Sequence, residues 1–138
     1  MTTLSPGLAL RAAVHQRLVG DAALGALLGG ARIYDEPPRA ALPPYVVLGP
    51  LASKDVSGDV APAQEHQLVL EVWSREGGLS EALKAADRVV RLTDGAALVL
   101  DGWRLATLSW SATDAVRIAD NGLRRASITF RAVTEPAE

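Results

Sequence analysis

Residues 67–95, QLVLEVWSREGGLSEALKAADRVVRLTDG, decide the fold. The first eight alternate, with Leu68, Leu70 and Val72 on one face and Val69, Glu71 and Trp73 on the other, the period of a strand with one buried side. Gly77 and Gly78 end that pattern, and Ser80 offers an N-cap for a helix. There Leu79, Ala82, Leu83, Ala86, Val89, Val90 and Thr93 fall within an arc of ~120° at ~100° per residue, opposite Glu81, Lys84, Asp87, Arg88 and Arg91. Asp94-Gly95 closes the helix. A strand with one buried face followed by a strongly amphipathic helix implies a sheet covered by helices, with Leu83, Ala86 and Val90 on the buried side.

Working outward, Ser5-Pro6 is a cap residue followed by a proline where a helix's first N–H is dispensable. Leu10, Val14 and Leu18 make the apolar stripe of that first helix, and Gly20 ends it. Asp21 caps a shorter helical turn that Gly29 and Gly30 stop. Residues 45–51 form a strand entered from Pro43-Pro44. Asp101-Gly102 reads as a primed turn joining strands 98–100 and 103–105, and a phase change near Ala106 and Thr107 predicts a β-bulge. The last strand, 124–134, turns Ala126, Ile128, Phe130 and Ala132 one way, with Arg125 and Arg131 on the other side. The order predicts a single α+β domain over residues 1–138, a mainly antiparallel sheet with two α-helices on one face. Long polar connections are expected at 35–44, 52–64 and 113–122; the second is too long for a hairpin turn, so its conformation is expected to be set by a partner.

Composition narrows function by exclusion. The 138 residues are 49% hydrophobic and 22% charged, which disfavours disorder, and no stretch reaches the ~18 apolar residues of a membrane span. The N-terminal residues lack the basic start of a secretory signal, so a cytoplasmic protein is expected. The absence of cysteine removes disulfides, thiol catalysis and thiolate metal sites. A net charge of −2 gives no general attraction to nucleic acid.

No catalytic motif emerges. His15 lies beside the first helix's apolar stripe, and His66 has no second ligand at useful spacing. Asp35-Glu36, beside prolines, reads as a solvated turn. Neither Gly29-Gly30 nor Gly77-Gly78 has a P-loop's spacing or lysine, although the second pair precedes a helix N-terminus where an anion can bind. Trp73, Trp103 and Trp110 at strand spacing suit core or subunit contacts better than base stacking. No cofactor and no metal are expected.

Four segments taken in order carry a resemblance: Gly30-Ala31-Arg32-Ile33-Tyr34-Asp35; Pro43-Pro44-Tyr45-Val46-Val47; Val72-Trp73-Ser74-Arg75 with Gly77-Gly78 and Glu81-Ala82; and Ile128-Thr129-Phe130-Arg131-Ala132. Across about residues 4–134 the chain resembles the small tail-completion, or tail terminator, proteins of long-tailed phages and gene transfer agents. The resemblance implies a structural, non-enzymatic ring, a homo-oligomer of six copies, that ends the tail tube and joins it to the head-side neck or stopper protein. Assembly would be cytoplasmic, with DNA passing through the lumen without specific binding and no membrane involved. Another neck component, a stopper or adaptor, is the alternative within the same particle; a soluble enzyme or small-ligand module is the alternative outside it. The charged residues of the long connections and last strand are the expected interaction residues: Lys54, Asp55, Asp59, Arg117, Asp120, Arg125 and Arg131.

Overall fold

The computed structural model describes residues 5–59, 61–75, 79–119 and 121–137. The chain order is α1 (Pro6–Val19), α2 (Ala22–Leu28), β1 (Ile33–Tyr34), β2 (Tyr45–Asp55), β3 (Gln64–Ser74), α3 (Ser80–Thr93), β4 (Trp103–Arg117) and β5 (Arg124–Pro136). The strands form one sheet in the order β1-β2-β3-β5-β4, antiparallel except for the β1–β2 pair. This is the expected α+β layout, with α2 as a third, seven-residue helix.

The helix starts follow local chemistry. Ser5 Oγ accepts from Leu8 N–H at 3.2 Å, and Asp21 Oδ2 accepts from Leu24 N–H at 2.8 Å. Gly29 ends α2 at φ 80°, a conformation that an L side chain strains to reach. The first described residues of α3 differ from expectation: Leu79 occupies the cap position, no side chain caps the helix, and Ser80 lies inside it. Arg75 instead reaches Glu81 in the first turn, at 2.6 Å.

The buried face of α3 is rotated from the predicted one. Ala82, Ala85, Ala86, Val89, Leu92 and Thr93 are buried, whereas Leu83 is 38% exposed and Val90 only half-buried. Small residues on the inward face let the helix lie close to the sheet, and the larger Leu83 is turned to the rim. The core lies between the helices and one side of the sheet: Leu10, Val14 and Leu18 of α1 meet Val46 and Leu48, while α3 covers Leu68, Leu70, Val72, Ile128 and Phe130.

Three extra residues shape the sheet. Leu48 pairs with Leu70 but Leu51 with Leu68, so β2 carries a bulge at Gly49-Pro50. A Cβ on Gly49 would stand 2.8 Å from Val69 O, which only glycine avoids. In β4 the register shifts between Leu105 and Thr107, the predicted bulge, and again between Trp110 and Ala112.

Three expectations are corrected. Residues 52–55 and 64 belong to paired strands, so the segment 52–64 is a β-hairpin whose tip holds itself: Val56 N–H donates to Ala63 O at 3.0 Å and Gly58 N–H to Ala61 O at 3.1 Å. Residues 113–117 are likewise strand, paired with 124–128, not a polar connection. Before Trp103 only the single bridge Leu100–Trp103 forms, and Gly102 alone has a positive φ, so the turn is not of the two-residue primed type.

Candidate assembly surfaces

Strand register sends the two long hairpins to opposite ends of the sheet. Gln64 pairs with Thr134 and Ser74 with Arg124, so the β2–β3 tip lies at one end and the β4–β5 turn at the other. From Val133 to Arg125 along β5 is ~26 Å at ~3.3 Å per residue. Each end carries its own charges.

At the tip end, Glu65 collects two cations on the sheet face away from the helices. Arg131 donates through Nε to Glu65 Oε2 at 2.9 Å, and Lys54 Nζ lies 3.5 Å from Oε1. The Arg131 hydrogen bond, with Lys54 adding to it, holds the Glu65 carboxyl below the usual carboxylate range. Asp55, the last residue of β2, accepts from Ser57 N–H at 3.2 Å and so holds the start of the turn, and Asp59 is exposed on the tip. An open groove of about 840 Å³ runs beneath the tip, lined by Pro62, Leu98, Val99, Trp103 and Pro136 among others.

At the opposite end Arg117 pairs in register with Arg124, and Arg125 sits over the Trp73 ring, 5.7 Å from its centroid. Asp120 lies outside the described residues. Of the expected interaction residues, the structure therefore brings Lys54 and Arg131 together with Asp55 nearby, and keeps Arg117 and Arg125 apart from them. Glu65, which joins the first pair, has no signal in the sequence beyond its charge, because only the β3–β5 register sets it beside Arg131.

The histidines serve the fold. His66 is fully buried between hydroxyls, with Nδ1 2.7 Å from Ser53 Oγ and Nε2 2.8 Å from Thr134 Oγ1. Burial pushes its pKa down, and with no carboxylate against it an imidazolium has nothing to stabilise it. A serine–histidine contact is therefore present, with a threonine hydroxyl and not a carboxylate on the other ring nitrogen. His15 Nε2 lies 3.1 Å from Ile33 O, tying β1 to α1. Asp35 is an ion-pair partner of Arg11. Among the described residues no group of three or more His, Cys, Asp or Glu side chains is placed to hold a metal, and no helix is long and apolar enough to cross a membrane. The glycine pair 77–78, noted for anion binding, falls outside the described residues.

A further apolar feature is on the outside. Leu8 and Val19 on α1 are 51% and 41% exposed, so this helix carries apolar residues on both its buried and outer faces.

The model of the family described as "Tail completion protein gp17" matches residues 12–135. The chain belongs to this tail completion family. Among solved structures, a chain from the "Virion of native gene transfer agent (GTA) particle" is similar at 36% identity and a TM-score of 0.86, over 95% of this chain and 99% of that one. No curated protein matches. Membership makes the chain a tail completion protein of a phage or gene-transfer-agent virion, in a family of structural virion proteins.

Proposed function

We propose that the chain forms a closed ring of six copies that ends the tail tube and joins it to the head-side neck protein. The observation that carries this reading is the near full-length likeness to a chain of the gene-transfer-agent virion. Two further features support it. The two ends of the sheet present different charged surfaces, Lys54, Glu65 and Arg131 at one and Arg117, Arg124 and Arg125 at the other, as a ring between two unlike neighbours requires. A ring of identical copies uses heterologous contacts, so each copy needs two unlike lateral patches as well. The mild net negative charge of −2 is suited to a lumen through which DNA slides without being held. Assembly takes place in the cytoplasm, after which the ring is part of the particle.

Purified chain imaged alone and with tail tubes tests the reading. Ring-shaped particles and a cap on one end of each tube are expected. A protein that stays monomeric and leaves both tube ends bare overturns it.

A further inference from the structure

Two stretches of sheet edge have no strand partner among the described residues, and they occupy diagonally opposite corners. The middle of the β4 edge is closed: Gly95 N–H donates to Leu108 O at 2.8 Å, and Trp110 N–H donates to Asp94 Oδ1 at 2.9 Å. Beyond the bulge, residues 113–117 have no partner on their outer side among the described residues. On the other edge β1 pairs with Val46 and Val47, and Arg11 donates to Gly49 O at 2.6 Å and Leu48 O at 3.3 Å. Beyond it Gly7 of α1 lies against the Leu51 and Ser53 side chains, and the outer backbone groups of residues 51–55 have no hydrogen-bond partner among the described residues.

Ladder alternation determines which backbone groups face outward. Ile118 N–H donates inward to Leu123 O, so the groups of Arg117, Ala115 and Thr113 point away from β5. Val56 N–H donates inward to Ala63 O, so those of Asp55, Ser53 and Leu51 point away from β3. Each corner offers three residues whose outward donors and acceptors are unused among the described residues, a template for another strand.

We propose that these corners are the two halves of one interface: residues 113–117 of β4 in one copy add antiparallel to residues 51–55 of β2 in the next copy of this chain, with Ala115 opposite Ser53. The proposal rests on the ring reading and specifies its lateral contact. Three relationships favour it. Through β3 and β5, β4 runs opposite to β2, so a second copy in the same orientation presents β2 antiparallel to β4 and continues the sheet. With Ala115 opposite Ser53, Asp114 falls directly opposite Lys54. Asp114 pairs with Ser127 and Lys54 with Glu65, which puts both on the sheet face away from the helices. Asp114 has no ion-pair partner among the described residues, and Lys54 holds Glu65 only at 3.5 Å.

The third relationship is closure. Ser53 is level with Ala132 through His66, and Ala115 with Ala126, so each copy is offset by six residues along β5. At ~3.3 Å per residue and ~4.8 Å per strand over four strands, that offset tilts the strands about 45° from the ring axis, close to the tilt at which sheets close into barrels. Pairing β4 with a second β4 would leave the β2 corner open and stop at a dimer.

The experiment compares the assembly of full-length variants by sedimentation velocity, with circular dichroism melts to establish folding. Asp114→Lys and Lys54→Asp are each expected to weaken assembly at least tenfold, and the double exchange to restore it. Ala115→Pro, which removes an outward N–H and no ladder bond, is expected to abolish it. Folded single variants that assemble like the parent, or a double exchange that restores nothing, overturn this register while leaving the ring intact. A parent protein that is monomeric both alone and with tail tubes overturns the ring and the register together.

Discussion

Asp94, one residue beyond α3, accepts the backbone N–H of Trp110 in the middle of the edge strand at 2.9 Å. With Gly95 N–H on Leu108 O, the helix end closes the section of β4 where Trp110 is 46% exposed and Ser109 and Ser111 are exposed beside it. An uncharged edge of this kind invites unwanted strand pairing unless something covers it.

Asp94→Ala should therefore cost about 1 kcal/mol in thermal or denaturant unfolding. It should also produce species larger than those of the parent in light scattering, while Asp94→Asn, which keeps an acceptor, behaves like the parent. Scattering unchanged in the alanine variant would mean that the edge is guarded by another group.

Two leucines of one helix separate the observed buried face from the predicted one. Leu92 is buried and Leu83 is not. Leu92→Ala should cost ~2–5 kcal/mol and Leu83→Ala less than ~1 kcal/mol. Urea midpoints in the reverse order would show that α3 is rotated from the orientation described.

The ion pair between Asp21 and Arg88, at 2.7 and 2.9 Å, joins the start of α2 to α3. Hydrogen bonding from Arg88, then from Leu24 N–H, lowers the Asp21 pKa from 3.8 to about 2. Because the folded-state value is the lower one, the stabilisation is complete above the ordinary pKa and is lost as pH falls from ~4 through ~2. Asp21→Asn should remove that part of the acid dependence; equal acid slopes in parent and variant would rule it out.

Burial acts on His66 with the same sign. Its folded pKa is below the ordinary 6.5, so stability is highest above that pH and declines as pH falls below it. Melting temperature should be lower at pH 5 than at pH 7.5, and His66→Gln should flatten the difference. Thr134→Val, which leaves Nε2 without its partner, should cost ~1–3 kcal/mol at neutral pH.

The β2–β3 tip is held by its own hydrogen bonds and projects beyond the sheet. Replacing residues 57–62 with a two-residue turn should shift stability by about 1 kcal/mol or less, since loop length enters only logarithmically. On the proposed ring reading, such a variant should still assemble and fail to cap tube ends. Normal capping would move the tube contact to the opposite end, at Arg117 and Arg125.

Much of this chain was legible because the signals were local. Ser5-Pro6 and Asp21 start helices through bonds made three residues away, and alternation in β3 and β5 marks the buried side, since successive strand residues face opposite ways. The bulge near Ala106 appears as a phase change for the same reason, and the ordered segments from Gly30 to Ala132 carry the family likeness. What packing decided was not legible. Leu83 and Leu92 are equally apolar, and only the approach of α3 to the sheet turns one outward and the other inward. Residues 52–55 and 113–117 are polar enough to read as loops, yet the strands beside them supply ladder partners that extend both hairpins. The meeting of Lys54 and Arg131 on Glu65, and of Asp94 with Trp110, joins residues distant in the chain, and no local preference specifies which distant strand arrives beside which.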